Sequence, residues 1–105
     1  MNPYYVYILT NSGNNVLYTG STDDLYRRWT EHVTKHFGTA FSARYNVNKL
    51  VYYEEYQTAE EAVKREYQIK GGSRKKKIDL IKAKNPLWND LAEREFGWIA
   101  TDIQR

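Results

Sequence analysis

The stretch YYVYILTNSGNNVLYTG, Tyr4 to Gly20, decides how the rest of the chain is read. Tyr4 to Thr10 is a run of β-branched and aromatic residues, the types that fit a pleated surface. NSGNN then gathers turn formers, and Val16 to Gly20 resumes the strand character, so a β-hairpin with a loop of about five residues is expected. No charged residue precedes Asp23. A hairpin with one wet face would alternate apolar and charged positions, so this one is expected to be covered on both faces and to lie centrally.

Working outward, Ser21 or Thr22 is placed to cap a helix that opens on Asp23 and Asp24, acids that suit the positive end of a helix dipole. Leu25, Trp29 and Val33 recur every four residues and are expected to face inward, while Arg28 and His32 form an adjacent stripe bordering the core without belonging to it. Thr34 to Asn48 has no period and contains Arg44, so it reads as a long loop. Lys49 to Tyr56, KLVYYEEY, reads as a third strand. Thr58 and Glu61 form a capping box for a second helix that ends at Gly71 and Gly72, with Ala59, Ala62, Val63, Glu66 and Ile69 on its inner stripe. Ser73 caps a short basic helix, and Asn85 and Pro86 are expected as N-cap and first residue of a last helix carrying Leu87, Trp88 and Leu91. Hairpin, helix, loop, strand and further helices in that order exclude a simple meander and predict an α+β layer of few strands.

The 105 residues suffice for one domain, expected over residues 1–98, with 99–105 as a flexible tail. At 41% hydrophobic and 28% charged residues the chain has the composition of a folded globular protein. It contains no Cys, which excludes a disulfide framework, a thiolate metal site and a thiol nucleophile, and suits a reducing cytoplasm. The opening residues lack a basic start and a long apolar run, so neither a signal peptide nor a membrane partner is expected. The net charge of +3 is unevenly spread: Lys70 to Lys84 carries seven basic residues and one Asp. That block, with Lys70, Arg74, Lys75, Lys76 and Lys77 in its first half, suits a phosphate backbone or equally a solvated helix face.

Glu66 is the most informative residue, because a carboxylate on the inner stripe of a helix has to be paired, protonated or bound to a cation. It either coordinates, snorkels to the margin, or pairs with an Arg such as Arg28. Arg28 and His32 are either a solvated edge or a fixed positive charge beside a group that titrates near neutrality. Tyr7 and Tyr18, eleven residues apart on the two hairpin strands, approach each other if they share a face, for packing or for chemistry. Together these types match phosphodiester hydrolysis, which needs a base, positive charge near the phosphate and a polarising metal. A single carboxylate would hold Mg²⁺ with water and substrate completing its shell. The motifs H-E-x-x-H, G-x-x-x-x-G-K-[ST] and G-x-S-x-G are absent.

YVYIL, the eleven-residue step from Tyr7 to Tyr18, YTG, Arg28, His32 and Glu66 together resemble the GIY-YIG nuclease superfamily, in particular its small single-domain bacterial branch. The region LVYYEEY to KGGSRKKKIDLI and the NPLW ending look like that branch too, so the resemblance covers residues 4 to 91. It implies a three-stranded antiparallel sheet flanked by helices and a DNA endonuclease dependent on Mg²⁺ or Mn²⁺. Such an enzyme would be structure-selective or weakly sequence-selective and would serve repair, recombination or nucleic-acid turnover. By position Tyr7 and Tyr18 match the two motif tyrosines, Arg28 and His32 the helix pair, and Glu66 the metal ligand. Tyr18 is preferred as base, with Tyr7 orienting water or phosphate. Arg44 and the basic block would bind substrate, and a monomer is favoured.

Three positions depart from the pattern: Tyr5 stands at the Gly position, Thr19 at an Ile position, and Ser21 where some repair nucleases carry a Lys. Asn85 and Asn89 both offer themselves as the match to a terminal Asn. The rival readings are a non-catalytic nucleic-acid-binding module, with aromatics stacking bases, and an interaction domain using Trp88, Phe96 and Trp98.

Overall fold

The computed structural model describes residues 2–34 and 46–99. Arg44 and most of the expected long loop lie outside the described residues. β1 (Tyr4–Thr10) is the centre of a three-stranded antiparallel sheet of order β2-β1-β3, with β2 spanning Leu17–Thr22 and β3 spanning Lys49–Tyr56. The expected hairpin, third strand and α+β class are all present, and β2 runs two residues beyond Gly20.

Because side chains alternate along a strand, β1 divides the core in two. Tyr7 and Leu9 face α1 (Leu25–Thr34), whose Leu25, Trp29 and Val33 are buried as their spacing predicts, and Ala92 of a short terminal helix. Val6 and Ile8 face the opposite layer, where Ala62 and Ile69 of α2 (Ala59–Gly71) meet Ile81 of α3 (Arg74–Lys84). The terminal helix, α4, spans Leu91–Phe96. Both faces of the hairpin are thus covered, which is why it carries no charge.

A bulge in β3 keeps both faces supplied. Ile8 pairs with Tyr52 and Leu9 with Leu50, leaving Val51 as the extra residue. The Asn85 side-chain amide donates to the Val51 carbonyl at 3.0 Å.

Four local expectations are corrected. Neither Ser21 nor Thr22 is the helix cap. Asp24 accepts from the Arg27 amide at 2.9 Å, and the Thr22 hydroxyl supports Asp24 instead. Asn85 does not start a helix: its amide donates to Ile81 to close α3, and its side chain clamps Asn89, so Leu87 is left exposed and the cap of α4 is Asp90. The inner stripe of α2 is narrower than its pattern, with Ala59 and Val63 exposed and only Ala62 and Ile69 buried, because α2 leans its Glu66 edge towards β2. His32, expected at the rim, is 1% exposed, because the rings of Tyr7 and Tyr18 enclose it.

The Thr58 and Ser73 caps form as expected, on the amides of Glu61 and Lys76. Trp88 packs against the α2–α3 layer, while Trp98 lies against Trp29 and Tyr26 and stacks on Phe96 at 4.5 Å.

Candidate active site

The strand register assembles the first part of the site. Tyr7 stands opposite Gly20 and Leu9 opposite Tyr18, so the two tyrosines are diagonal neighbours on the α1 face. Their rings stack at 6.4 Å. The His32 imidazole, one turn beyond Arg28 on α1, approaches edge-on, 5.1 Å from the Tyr18 ring and 6.1 Å from that of Tyr7.

Gly20 makes this packing possible. A Cβ there would lie 2.5 Å from the Tyr7 hydroxyl and 2.7 Å from its Cζ, so the phenol crosses β2 only because position 20 has no side chain. The glycine of YTG, to which the sequence alone assigns no role, is therefore what lets the Tyr7 ring take this place. Its signal was the register, but the expected five-residue loop would have set Thr19 opposite Tyr7; with residues 11–16 in the loop Thr10 pairs with Leu17 and Gly20 falls opposite Tyr7.

The second part arrives from the other face. Ser21 points away from Tyr18 and Gly20, towards α2, and its hydroxyl donates to Glu66 Oε1 at 2.5 Å. The Lys70 ammonium, one helical turn further on, contacts Glu66 Oε2 at 2.5 Å. Glu66 is thus turned inward and paired, as its position demanded, with its side chain 14% exposed. Its cation is Lys70, while Arg28 lies 3.1 Å from Glu31. Edge strand β2 is the wall between the tyrosine cluster and the carboxylate.

Burial, then the neighbouring Tyr18, pushes the Tyr7 phenol far above its ordinary pKa; Arg28 opposes this while Glu66 and Glu31 add to it. Tyr7 is accordingly a protonated donor at neutral pH. Burial, and secondly the Arg28 charge, pulls His32 down to about 4, so the imidazole is neutral. Its two ring nitrogens are buried with no hydrogen-bond partner among the described residues. A neutral imidazole carries one donor and one acceptor, and both lie against the tyrosine rings.

The basic block is less uniform than its sequence. Arg74 donates to the Asn15 carbonyl of the hairpin loop at 2.8 Å, and Lys77 to the Gly72 carbonyl at 2.7 Å, so both serve local structure. Lys75 pairs with Asp79 while 82% exposed, and Lys76 is exposed on the same helix. Glu54, which no sequence argument singled out, is the centre of a separate network: Tyr52, Tyr56 and Arg65 all donate to it.

Among the described residues no three His, Asp or Glu side chains gather as a metal cluster. One carboxylate with a hydroxyl support does not fit zinc, which takes three or four protein ligands. It does fit a hard cation such as Mg²⁺, which keeps several waters and takes one or two carboxylates plus substrate oxygens.

With this geometry in place, comparison with known proteins is direct. The GIY-YIG catalytic domain model matches residues 3–79. The chain belongs to the GIY-YIG family, a family of nuclease type. Within it the similarity is to small proteins named UPF0213. The UPF0213 proteins SAV0488 and SA0446 of two Staphylococcus aureus strains, Mu50 and N315, are each 40% identical over 82 residues, 78% of this chain and 98% of theirs. The solution NMR structure of the UPF0213 protein BH0048 from Bacillus halodurans superposes with a TM-score of 0.53 at 30% identity, covering 89% of this chain and 97% of that one. Among the described residues no helix is long and apolar enough to cross a membrane.

Proposed function

We propose that the protein is a metal-dependent endonuclease that hydrolyses phosphodiester bonds in DNA, selecting structure more than sequence. The observation that supports this most is the Tyr7 phenol itself, which crosses β2 over the bare Gly20, beside the Tyr18 and His32 rings and on the strand whose next residue, Ser21, holds Glu66. A phosphate beside it meets a hydroxyl donor, a guanidinium and a carboxylate able to hold a cation. Selection by structure is favoured because a 105-residue chain has little surface left for reading base edges.

Each residue then has a role that its environment allows. Tyr7, held protonated, donates a hydrogen bond to the phosphate or positions the attacking water. Tyr18 takes the proton of that water as it bonds to phosphorus and passes its own phenolic proton to a ring nitrogen of neutral His32 beside it. Arg28 stabilises the charge that grows on the phosphate oxygens. Glu66, steadied by Ser21, would hold Mg²⁺ or Mn²⁺, whose contribution when bound is to polarise the phosphate and the leaving oxygen. Lys75, Lys76 and Arg44 supply sequence-independent attraction to the backbone, and the work of the enzyme is placed in DNA repair, recombination or turnover in the cytoplasm.

The test is cleavage of branched, flap, single-stranded and RNA substrates with Mg²⁺ by wild type, Glu66→Ala and Arg28→Ala. Cleavage by wild type that both variants lose, with binding retained, is expected. Equal cutting by wild type and Glu66→Ala marks contamination and removes the proposal. Binding without any cutting points to the non-catalytic module.

A further inference from the structure

The two oxygens of Glu66 are held by groups of very different freedom. Oε1 is fixed by Ser21, whose hydroxyl sits on a strand, one rotatable bond from the backbone. Oε2 is held by Lys70, an ammonium on a flexible four-carbon stem whose side chain is 49% exposed. A divalent ion binding Glu66 competes with that ammonium for Oε2, because two cations on one oxygen repel, whereas the Ser21 hydroxyl is neutral and remains. Lys70 then has to leave, and it stands at the start of the basic block, in the last turn of α2, with solvent on one side.

We propose that Lys70 is a metal-gated phosphate ligand: tied to Glu66 until a divalent cation displaces it, then free to take a backbone phosphate of the nucleic acid. The proposal rests on Glu66 being the metal ligand. It makes Ser21 the positioning residue that keeps the carboxylate in place while its second oxygen changes partners. It also couples the two ligands, since metal that frees Lys70 strengthens nucleic-acid binding and nucleic acid that holds Lys70 strengthens metal binding, by the same factor.

Two measurements on Lys70→Met test this without reading catalysis. In titrations of Mn²⁺ followed by electron paramagnetic resonance, removing a half-exposed competing cation is expected to tighten binding by roughly 2- to 5-fold. In fluorescence anisotropy with a labelled DNA duplex, each phosphate contact contributes about 0.9 to the slope of log K against log salt. With Ca²⁺ present the wild-type slope is expected to exceed that of Lys70→Met by about 0.9, and without divalent metal the two slopes coincide. Glu66→Gln, which weakens the hold on Lys70, should show the steeper slope with or without metal. Unchanged or weaker Mn²⁺ binding by Lys70→Met, or a slope difference indifferent to Ca²⁺, overturns the proposal. If Glu66→Gln binds Mn²⁺ as well as wild type does, the reading of Glu66 as metal ligand fails first; if Glu66→Gln loses Mn²⁺ while Lys70→Met leaves it unchanged, only the gating fails.

Discussion

Two glutamates sit at the junction of α2 with the sheet, and they are almost equally covered. The Glu54 side chain is 13% exposed and that of Glu66 14%. Around Glu54 every acceptor position is taken. Arg65 forks across both oxygens, with Nε at 2.9 Å from Oε1 and Nη2 at 3.1 Å from Oε2, Tyr56 donates to Oε1 at 2.6 Å, and Tyr52 donates to Oε2. These donors are planar groups that lose little freedom in binding, and they clamp α2 to β3. Glu66 has a serine on one oxygen and a lysine on the other. Equal burial therefore says nothing about role. A carboxylate whose partners are all fixed is structure, whereas one with an exchangeable partner can take a cation and do chemistry.

The largest expected effect separates the two directly. Glu66→Gln is expected to lower Mg²⁺-dependent cleavage by roughly 10³-fold, the scale seen when one electrostatic element of an active site is lost, and to cost only about 1 kcal/mol of stability, because its Lys70 partner is half-exposed. Glu54→Gln is expected to lose about 2 kcal/mol of stability, since a partly buried ion pair and its hydrogen bonds are broken, with cleavage per folded molecule intact. Urea unfolding and single-turnover cleavage on both variants check this. A Glu54→Gln protein that stays stable but stops cutting would break the comparison.

Acid sharpens it further. Folding lowers the pKa of His32 from 6.5 to about 4, so the unfolded chain binds the extra proton first and stability falls as pH drops through that window. The loss is about 3 kcal/mol between pH 7 and pH 4. Burial alone would raise the Glu54 carboxyl, but Arg65 and the Tyr52 and Tyr56 hydroxyls outweigh it and hold it below 4.5, so its contribution is lost later, as pH falls through its folded-state value. Urea unfolding across pH should therefore show two phases. His32→Gln removes the loss between pH 6.5 and 4, and Glu54→Gln the loss that starts near its unfolded value of 4.5 and continues as pH falls through its folded-state value.

His32 also marks how far the sequence could be read. The hairpin, β3, the Thr58 and Ser73 caps and the inward face of α1 were legible because each rests on local pattern: turn formers, alternation, a hydroxyl before an apolar run. Glu66 was legible as an anomaly, a carboxylate on an inner stripe, though not that Lys70 and Ser21 would hold it. What failed depended on partners distant in sequence. His32 looked like a rim residue by its angle on α1, and became core only because two tyrosines from β1 and β2 close over it. Asn85-Pro86 has the form of a helix start, yet the bulged Val51 carbonyl, 34 residues away, claims the Asn85 side chain. Gly20 carries no side chain to attract attention, and its meaning lies in the Tyr7 ring that crosses it.

Gly20→Ala is the next test by size. The added Cβ meets the far end of the Tyr7 ring, so the phenol must swing off the strand. A displacement of about 1 Å at a reacting group costs roughly 10²-fold, and that is the expected loss in cleavage. Because one methyl hardly changes the surface exposed on unfolding, the dependence of unfolding free energy on urea should keep its slope. A Gly20→Ala enzyme of wild-type activity would show that the Tyr7 hydroxyl does not act where it stands.

The smallest effect gives the finest comparison, because the same chemical change can be made at both carboxylates. Ser21→Ala removes one hydroxyl from Glu66, and Tyr56→Phe removes one from Glu54. Each deletes a hydrogen bond to a charged acceptor, for about 1 kcal/mol of stability, and in each case a cation remains on the carboxylate. At Glu54 the bidentate Arg65 keeps the geometry, so cleavage should not change. At Glu66 only the mobile Lys70 is left, and the carboxylate loses the fixed support that positions it for a metal. Cleavage is expected to fall by roughly 10-fold at limiting Mg²⁺ and to recover as Mg²⁺ is raised, since the loss is in metal binding and not in the chemical step. Equal stability loss with unequal metal dependence is the pattern that a closed and an open network must give; if Tyr56→Phe also became Mg²⁺-dependent, the two glutamates would be parts of one site.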